Sequence, residues 1–101
     1  MPEQYTGSLA GTGSSKYFTS NSGFYARAGT HRGCLDGPTG PNFNLVLYRL
    51  NSAGGWTSVA RSEGSTADES ITYTTSVAGT YRWRVFSSSG SGSYKFGMQR
   101  P

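Results

Sequence analysis

The stretch TYRWRVF near the C-terminal end of the chain alternates large apolar and charged side chains with a period of two. Tyr81, Trp83 and Val85 occupy one parity, whereas Arg82 and Arg84 occupy the other. Consecutive side chains of a β-strand project to opposite faces of a sheet, so this order predicts a strand with one buried and one solvent-facing side. No segment of the chain has a convincing helical period, and the sequence therefore predicts an all-β fold.

Short alternating segments of the same kind recur along the chain, separated by turns rich in Gly, Ser and Asn. Such spacing is typical of antiparallel sandwiches and barrels. We predict one antiparallel β-sandwich of jelly-roll type over residues 1–101, with about eight or nine short strands. The predicted strands are Gln4–Leu9, Lys16–Thr19, Gly23–Arg27, Thr30–Leu35, Asn42–Leu50, Trp56–Arg61, Glu69–Thr74, Gly79–Phe86 and Ser93–Gln99.

The core of this sandwich is predicted from the inward parity of its strands, because a sheet with one buried face alternates apolar and polar residues. The predicted inner set is Phe43, Leu45, Leu47, Ile71, Tyr73, Tyr81, Trp83, Val85, Tyr94, Phe96 and Met98. More rings remain than a small core needs. Those outside the clearest inward parity are Tyr48, Trp56, Phe86, and one member of each adjacent pair, Tyr17 or Phe18 and Phe24 or Tyr25.

The remaining rings and nearby arginines form a candidate binding surface. Aromatic rings and guanidinium groups together stack on and hydrogen-bond to extended ligands. The alternative is that Trp56 and Phe86 close the ends of the sandwich while Tyr48 covers an edge, and the sequence leaves both interpretations open. The candidate ligand-binding residues are Tyr48, Trp56, Arg82, Arg84 and Phe86, with Arg49 beside them.

The positive charge favours anionic partners without selecting any, and two classes of partner lack a motif in the sequence. The net charge is +4, yet the nine basic residues are scattered along the chain and belong to no nucleic-acid-binding motif. No apolar run reaches the roughly twenty residues that a membrane helix needs. We therefore expect neither nucleic acid nor a membrane as partner. The opening Met1-Pro2-Glu3-Gln4 lacks the features of a signal peptide, and we expect the chain to be a piece of a longer protein.

Catalytic and metal-binding patterns are also missing from the sequence. His31 is the one histidine, and no Gly-x-Ser-x-Gly elbow or distinctive carboxylate pair accompanies it, so we predict no enzyme activity. We expect His31 to be a half-buried structural imidazole that is hydrogen-bonded to the backbone or to a neighbouring Tyr. The lone Cys34 rules out an intramolecular disulfide and a cysteine zinc site, and we expect its thiol to be partly buried.

The order of several motifs resembles one known family. The motifs are YTGSL, then THRGCLDGP, NFNLVLYRL, DESITYT and, most specifically, AGTYRWRVFSSSGSGSYKF. They span nearly the whole chain and are similar to those of the bacterial pre-peptidase C-terminal domain. The resemblance implies a noncatalytic β-sandwich module of a secreted, extracellular bacterial hydrolase. In that family the module is thought to help secretion, to be removed from some precursors, or, in related collagen-binding domains, to hold an enzyme on insoluble protein.

The resemblance also raises the question of calcium, which some members bind near their N-terminal linker. Where the family commonly has two aspartates around a phenylalanine, this chain has Asn42 and Asn44, which lack the carboxylate charge. The N-terminal stretch offers only Glu3 as an acid, whereas calcium sites usually gather several oxygens from more than one carboxylate. We therefore predict no cofactor and no metal.

Residues and resemblance together predict a noncatalytic accessory domain of a secreted bacterial hydrolase, most naturally a peptidase. Its expected partners are the parent hydrolase domain and a polymeric substrate, either protein or polysaccharide, to which it tethers the enzyme. The alternative is a structural, secretion or processing module with no ligand of its own.

Overall fold

The computed structural model describes residues 3–101 and contains nine strands and no helix in that range. The all-β prediction is confirmed, whereas Met1 and Pro2 of the opening segment lie outside the described residues. The strands are β1 Glu3–Leu9, β2 Ser15–Phe18, β3 Phe24–Ala26, β4 Gly29–Asp36, β5 Asn42–Leu50, β6 Trp56–Ser62, β7 Glu69–Thr75, β8 Gly79–Ser89 and β9 Gly92–Gln99.

The strands form two antiparallel sheets, as predicted for a sandwich. The four-stranded sheet has the order β1-β9-β4-β7, and the five-stranded sheet has the order β2-β8-β5-β6 with β3 also paired to β8. Most neighbours in these sheets are distant in sequence. The register of neighbouring strands within each sheet is therefore set by pairing between distant segments of the chain rather than by single hairpins.

The core lies between the two sheets and contains the side chains at the predicted inward positions. Trp83 on β8 is completely buried, with the ring of Phe96 from the opposite sheet 5.7 Å away between centroids. Nearly all of the predicted inner set is buried, while Tyr73 is half-buried and packs against the edge of the core. Burial of these apolar side chains contributes on the order of 25 cal/mol per Å² removed from water.

A glycine on the opposite sheet makes room for the Trp83 indole. Gly33 on β4 faces the six-membered part of that ring, and a Cβ atom placed on Gly33 would lie 2.7 Å from two of its carbons. That separation is far inside the normal contact distance of about 3.5–4.0 Å between carbon atoms. The pairing of a large ring with a residue that has no side chain therefore fixes how closely the two sheets approach.

Two sequence-based expectations in β4 are wrong. His31 is 0% exposed rather than half-buried, and neither ring nitrogen has a hydrogen-bond partner among residues 3–101. Cys34 is exposed rather than partly buried. Both results have the same cause, because His31, Gly33 and Leu35 share the inward parity and Cys34 must then project to the outer face of the four-stranded sheet.

The two aromatic pairs that the sequence left open are resolved by the pairing of β2 and β3 with β8. Phe18 pairs with the buried Trp83 and packs against the core, which leaves Tyr17 on the outer face. In β3, Phe24 is buried and Tyr25 is 68% exposed. Each of these short strands therefore contributes one ring to the core and one to the solvent-facing side.

The two ends of the described chain lie together in the four-stranded sheet. Glu3 pairs with Met98 across β1 and β9, and the Arg100 guanidinium donates hydrogen bonds of 2.8 and 2.6 Å to the two oxygens of the Glu3 carboxylate. The hydrogen bonds from Arg100 hold the pKa of Glu3 below its usual value. A bidentate pair of this kind joins the N-terminal and C-terminal strands.

Candidate binding surface

The outer face of the five-stranded sheet brings all five predicted site residues together. Arg82, Arg84 and Phe86 occupy the outward parity of β8, and Tyr48 of β5 is the register partner of Arg82. Trp56 comes from the start of β6. We call this surface the arginine–aromatic face, and its residues are Tyr17, Tyr48, Trp56, Arg82, Arg84 and Phe86.

A register shift in β6 places Trp56 on this face. Leu47 pairs with Ala60 but the next residue, Tyr48, pairs with Ser58, so β6 contains one extra residue at Val59. Beyond this bulge Trp56 pairs with Leu50, which shares the outward parity of Tyr48. Bulges commonly redirect side chains in this way.

Arg82 is the centre of the arginine–aromatic face. Its guanidinium carbon lies 3.9 Å from the ring centroid of Tyr17, 4.2 Å from that of Trp56 and 5.9 Å from that of Tyr48. Its Nη1 donates a 2.7 Å hydrogen bond to the carbonyl oxygen of Asn21 in the β2–β3 turn. Cation–π contacts of this kind stabilise by about 0.5–2 kcal/mol each, so the guanidinium is held in one orientation.

A second arginine–ring pair continues the face along β8. The Arg84 guanidinium carbon lies 4.7 Å from the Phe86 ring centroid, and Tyr17 is the β2 register partner of Arg84. Beneath this layer Asn44 and Val46 of β5 are only 5% and 2% exposed, although their parity points outward. The rings and arginines therefore cover the sheet and also form its solvent-facing surface.

The positions of the aromatic residues are compatible with both interpretations of the sequence, a binding surface and a set of rings that cover the sandwich. Tyr48, Trp56 and Phe86 are all half-buried, with one part packed on the sheet and the rest accessible. Arg49 does not join them, because it shares the inward parity of Leu45 and Leu47 on β5. The ligand-binding role of the five residues stays a prediction.

Tyr17 is the member of the face that sequence reasoning did not select. The segment SKYF places a polar residue and a ring on each parity, so the alternation alone does not tell which ring faces outward. The pairing of Tyr17 with Arg84 decides the question, and this pairing joins residues far apart in the chain.

No carboxylate among the described residues neutralises Arg82 or Arg84. Glu3 is bound by Arg100, and Glu63 forms a 3.3 Å ion pair with Arg61. The other three acids lie away from this pair: Asp36 on the outer parity of β4, Asp68 accepting a hydrogen bond from the Gly37 amide, and Glu69 in the β6–β7 region. The arginine–aromatic face therefore has two unpaired positive charges.

Glu69 has a structural role at the other edge of the sandwich. Its carboxylate is nearly buried and accepts hydrogen bonds from the Ser62 hydroxyl at 2.5 Å and from the Gly64 amide at 3.0 and 3.1 Å. Three hydrogen bonds from two donors to one buried carboxylate hold the turn that joins β6 to β7. Hydrogen bonds to charged groups stabilise by about 1.5–3 kcal/mol each.

Glu69→Gln is expected to lower the free energy of unfolding by about 2 kcal/mol, because the amide loses the charge and one acceptor. Urea denaturation measures the change. Glu63→Gln is the matched control, since its exposed ion pair with Arg61 is worth about 1 kcal/mol or less. Equal losses in the two variants would contradict the role assigned to Glu69.

The outer face of the four-stranded sheet has a different character. A shallow groove of about 590 Å³ lies over Gly97, and its lining includes Thr6, Cys34, Asp36 and Lys95. Asp36 and Lys95 are register partners across β4 and β9, so their opposite charges lie side by side. None of the five predicted site residues lies there.

The residues that the resemblance suggested for calcium do not fit that ion. The amide oxygens of Asn42 and Asn44 are buried without hydrogen-bond partners, which is the single feature in favour of a cation. Calcium needs six to eight oxygens and usually several carboxylates, whereas Glu3 is already bound by Arg100. Residues 3–101 contain no group of three or more His, Cys, Asp or Glu placed to hold a metal. The absence of a cofactor stays a prediction.

Comparison with known sequences places this fold in a family. The sequence profile of the bacterial pre-peptidase C-terminal domain matches residues 30–87, which is more than half of the chain. The chain belongs to this family. The match covers all but the first residue of β4, three of the nine strands (β5, β6 and β7) in full and most of β8, so it includes both site arginines and Trp83. Domains of the family are noncatalytic accessory domains of secreted peptidases.

Solved structures share the fold of this pre-peptidase C-terminal domain at low sequence identity. The pre-peptidase C-terminal domain of a Bacillus anthracis collagenase has a TM-score of 0.74 and 18% identity over 96% of this chain and 88% of that one. A mitogen from Yersinia pseudotuberculosis has a TM-score of 0.73 and 17% identity over 98% and 85% of the two chains. A periplasmic inhibitor of g-type lysozyme from Aeromonas hydrophila has a TM-score of 0.59 at 16% identity, over 96% and 85%.

These likenesses show a common sandwich and leave the ligand open, since proteins with different described roles share it. Membrane spanning by a helix is not supported, because the described residues include no helix of sufficient length and apolarity.

Proposed function

We propose that this pre-peptidase C-terminal domain is the noncatalytic accessory domain of a secreted bacterial hydrolase, a peptidase by family, and that it tethers the enzyme to a polymeric substrate. The polymer is a protein or a polysaccharide, and it contacts the arginine–aromatic face. Tethering raises the local concentration of enzyme at the substrate without any new chemistry. The family membership and the geometry of this face support the proposal.

The observation that supports this function best is the packing around Arg82. The ring centroids of Tyr17 and Trp56 both lie within 4.2 Å of its guanidinium carbon, and the Asn21 carbonyl fixes one of its amino groups. A surface that is already ordered before contact loses little conformational entropy when a ligand binds. Rigid aromatic side chains and arginines are also the residue types most enriched at binding hot spots.

Retention of the purified domain on insoluble collagen, keratin, chitin and cellulose tests the proposal. We expect retention on at least one polymer, and about a tenfold or greater loss of affinity in Trp56→Ala or Tyr48→Ala, since each removes a half-buried ring from the face. Tyr25→Ala is the matched control, because Tyr25 is 68% exposed and makes none of the cation–π contacts of the face.

The salt dependence of retention separates two contributions. Retention that persists at 1 M NaCl depends on the rings, whereas release by salt alone assigns the interaction to Arg82 and Arg84, because exposed charges are screened within about 3 Å at that ionic strength.

The second candidate function is a structural, secretion or processing module. The clamp between Glu3 and Arg100 and the buried core favour a stable appendage that needs no ligand. Absence of retention on every polymer, together with normal folding, would favour this function and reject tethering.

A further inference from the structure

Two guanidinium groups without a carboxylate partner lie side by side on the arginine–aromatic face, and the tethering proposal leaves them unexplained. Arg61 and Arg100 form the two ion pairs among the described residues, and Arg82 and Arg84 are among the basic residues that form none. The Nε atoms of both are buried without a hydrogen-bond partner. Unpaired, partly desolvated charges are costly in the free protein, and an anionic ligand would relieve that cost.

The rings of the arginine–aromatic face are partly covered by other groups of the domain. Arg82 covers one side of Tyr17 and of Trp56, and Arg84 covers Phe86. The Trp56 ring also lies against the β2–β3 turn, since a Cβ atom on Gly23 would be 3.2 Å from it. A neutral sugar ring needs an open aromatic face for stacking. Nη1 of Arg82 is bonded to the Asn21 carbonyl, whereas Nη2 of Arg82 and both terminal amino groups of Arg84 make no hydrogen bond among the described residues and can donate to an acceptor on a ligand.

The spacing of the two arginines indicates the kind of anion. Arg82 and Arg84 are two residues apart on the same face of β8, which separates their Cα atoms by about 6.4–6.8 Å. Acidic side chains two residues apart on an extended polypeptide share one face and have the same spacing. Arginine binds carboxylates through two parallel hydrogen bonds, so a matched row of carboxylates complements this strand.

We propose that Arg82 and Arg84 bind the carboxylates of an extended, acidic polypeptide segment that lies along β8 on the arginine–aromatic face. This inference rests on the proposed function, because it names the class of polymer that the same face takes. It commits to a polypeptide with acidic residues at alternate positions. Acidic polysaccharides are the competing source of carboxylates.

The test is isothermal titration calorimetry of the purified domain with poly-L-glutamate at 50 mM NaCl, alongside polygalacturonate and poly-L-lysine. We expect binding to poly-L-glutamate that weakens with salt, weaker binding to polygalacturonate, and none to poly-L-lysine. Trp56 fluorescence provides a second readout at the site, because Trp83 is completely buried. Tighter binding of polygalacturonate than of poly-L-glutamate, or no binding of poly-L-glutamate, would overturn the proposal.

Two double variants separate site binding from net charge. Arg82→Gln with Arg84→Gln is expected to weaken poly-L-glutamate binding about a hundredfold, at about tenfold for each charged hydrogen-bonded pair. Arg27→Gln with Arg32→Gln removes the same charge from exposed positions outside the arginine–aromatic face and is expected to weaken it less than about threefold. Equal weakening in both would overturn the assignment to this face.

Replacement of both arginines by lysine tests the geometry while the charge is kept. Arg82→Lys with Arg84→Lys is expected to lose about tenfold in affinity, because lysine lacks the planar fork that binds a carboxylate. Undiminished binding by this variant would overturn the paired hydrogen-bond geometry. Failure of this proposal is distinguishable from failure of tethering: retention on an insoluble polymer with no binding of poly-L-glutamate rejects only the acidic ligand.

Discussion

Trp83→Ala is expected to lower the free energy of unfolding by about 4 kcal/mol, the largest loss that a single substitution in this domain should produce. The Trp83 side chain is completely buried and packs between the sheets against Phe96 and Gly33. Its removal leaves a cavity that the strands on both sides, held by their hydrogen bonds, cannot close. Urea denaturation followed by circular dichroism measures the loss.

A tryptophan-to-alanine substitution on the outer face of the same sheet provides the control. Trp56→Ala removes an equal side chain that is half-buried on the arginine–aromatic face, and we expect it to lower the free energy of unfolding by about 1 kcal/mol. Domains of this size are typically stable by about 5–15 kcal/mol, so Trp56→Ala should stay folded while Trp83→Ala becomes marginal. Similar losses in both variants would show that the core is not organised around Trp83.

Acidification between pH 6.5 and 4 is expected to destabilise the domain by about 3 kcal/mol through His31. Burial lowers the pKa of His31 to about 4 from a usual value of 6.5, since the imidazole is surrounded by the rings of Phe24, Tyr73 and Tyr81. The unfolded state therefore binds a proton more readily than the folded state throughout this window. The contribution of His31 to the free energy of unfolding is fully present above pH 6.5 and is lost as the pH falls towards 4.

Urea denaturation of the wild type and of His31→Phe at pH 7.5 and pH 4.5 isolates this effect. The phenylalanine variant keeps a ring among the same neighbours but has no group that titrates, so its loss of stability on acidification should be smaller by about 2–3 kcal/mol. Carboxylates contribute equally to both proteins, including Glu3, whose lowered pKa makes its contribution disappear at still lower pH. If His31→Leu and His31→Phe both keep the wild-type pH dependence, the effect does not come from His31.

Most of the fold was predictable because side-chain parity is a local property of the sequence. Every predicted strand exists, and the inward placement of Trp83 and of its neighbours Tyr81 and Val85 follows directly from the alternation in β8. Turn-forming residues predicted where the strands end, and the observed ends differ from these predictions by no more than a few residues. The two-sheet arrangement followed from the number and length of the strands.

The details of the candidate surface were not predictable because they depend on pairing between distant segments. The stacking of Arg82 on Tyr17 needs the register of β2 on β8, and the outward position of Trp56 needs the bulge in β6. The complete burial of His31 without a hydrogen-bond partner also differed from expectation, since nothing in the sequence shows that three rings enclose it. The alternation predicts on which face of the sheet a side chain lies, but it does not predict which other side chains contact it.

The joined ends of the chain have a consequence for how this domain can be connected to an enzyme. Because β1 and β9 are adjacent, and Arg100 is clamped to Glu3, polypeptide leading in and polypeptide leading out start from one corner of the four-stranded sheet. The arginine–aromatic face belongs to the other sheet and points the opposite way. A catalytic unit joined to either end would therefore be attached on the side of the four-stranded sheet. Fusion in either order would leave the arginine–aromatic face pointing away from the point of attachment.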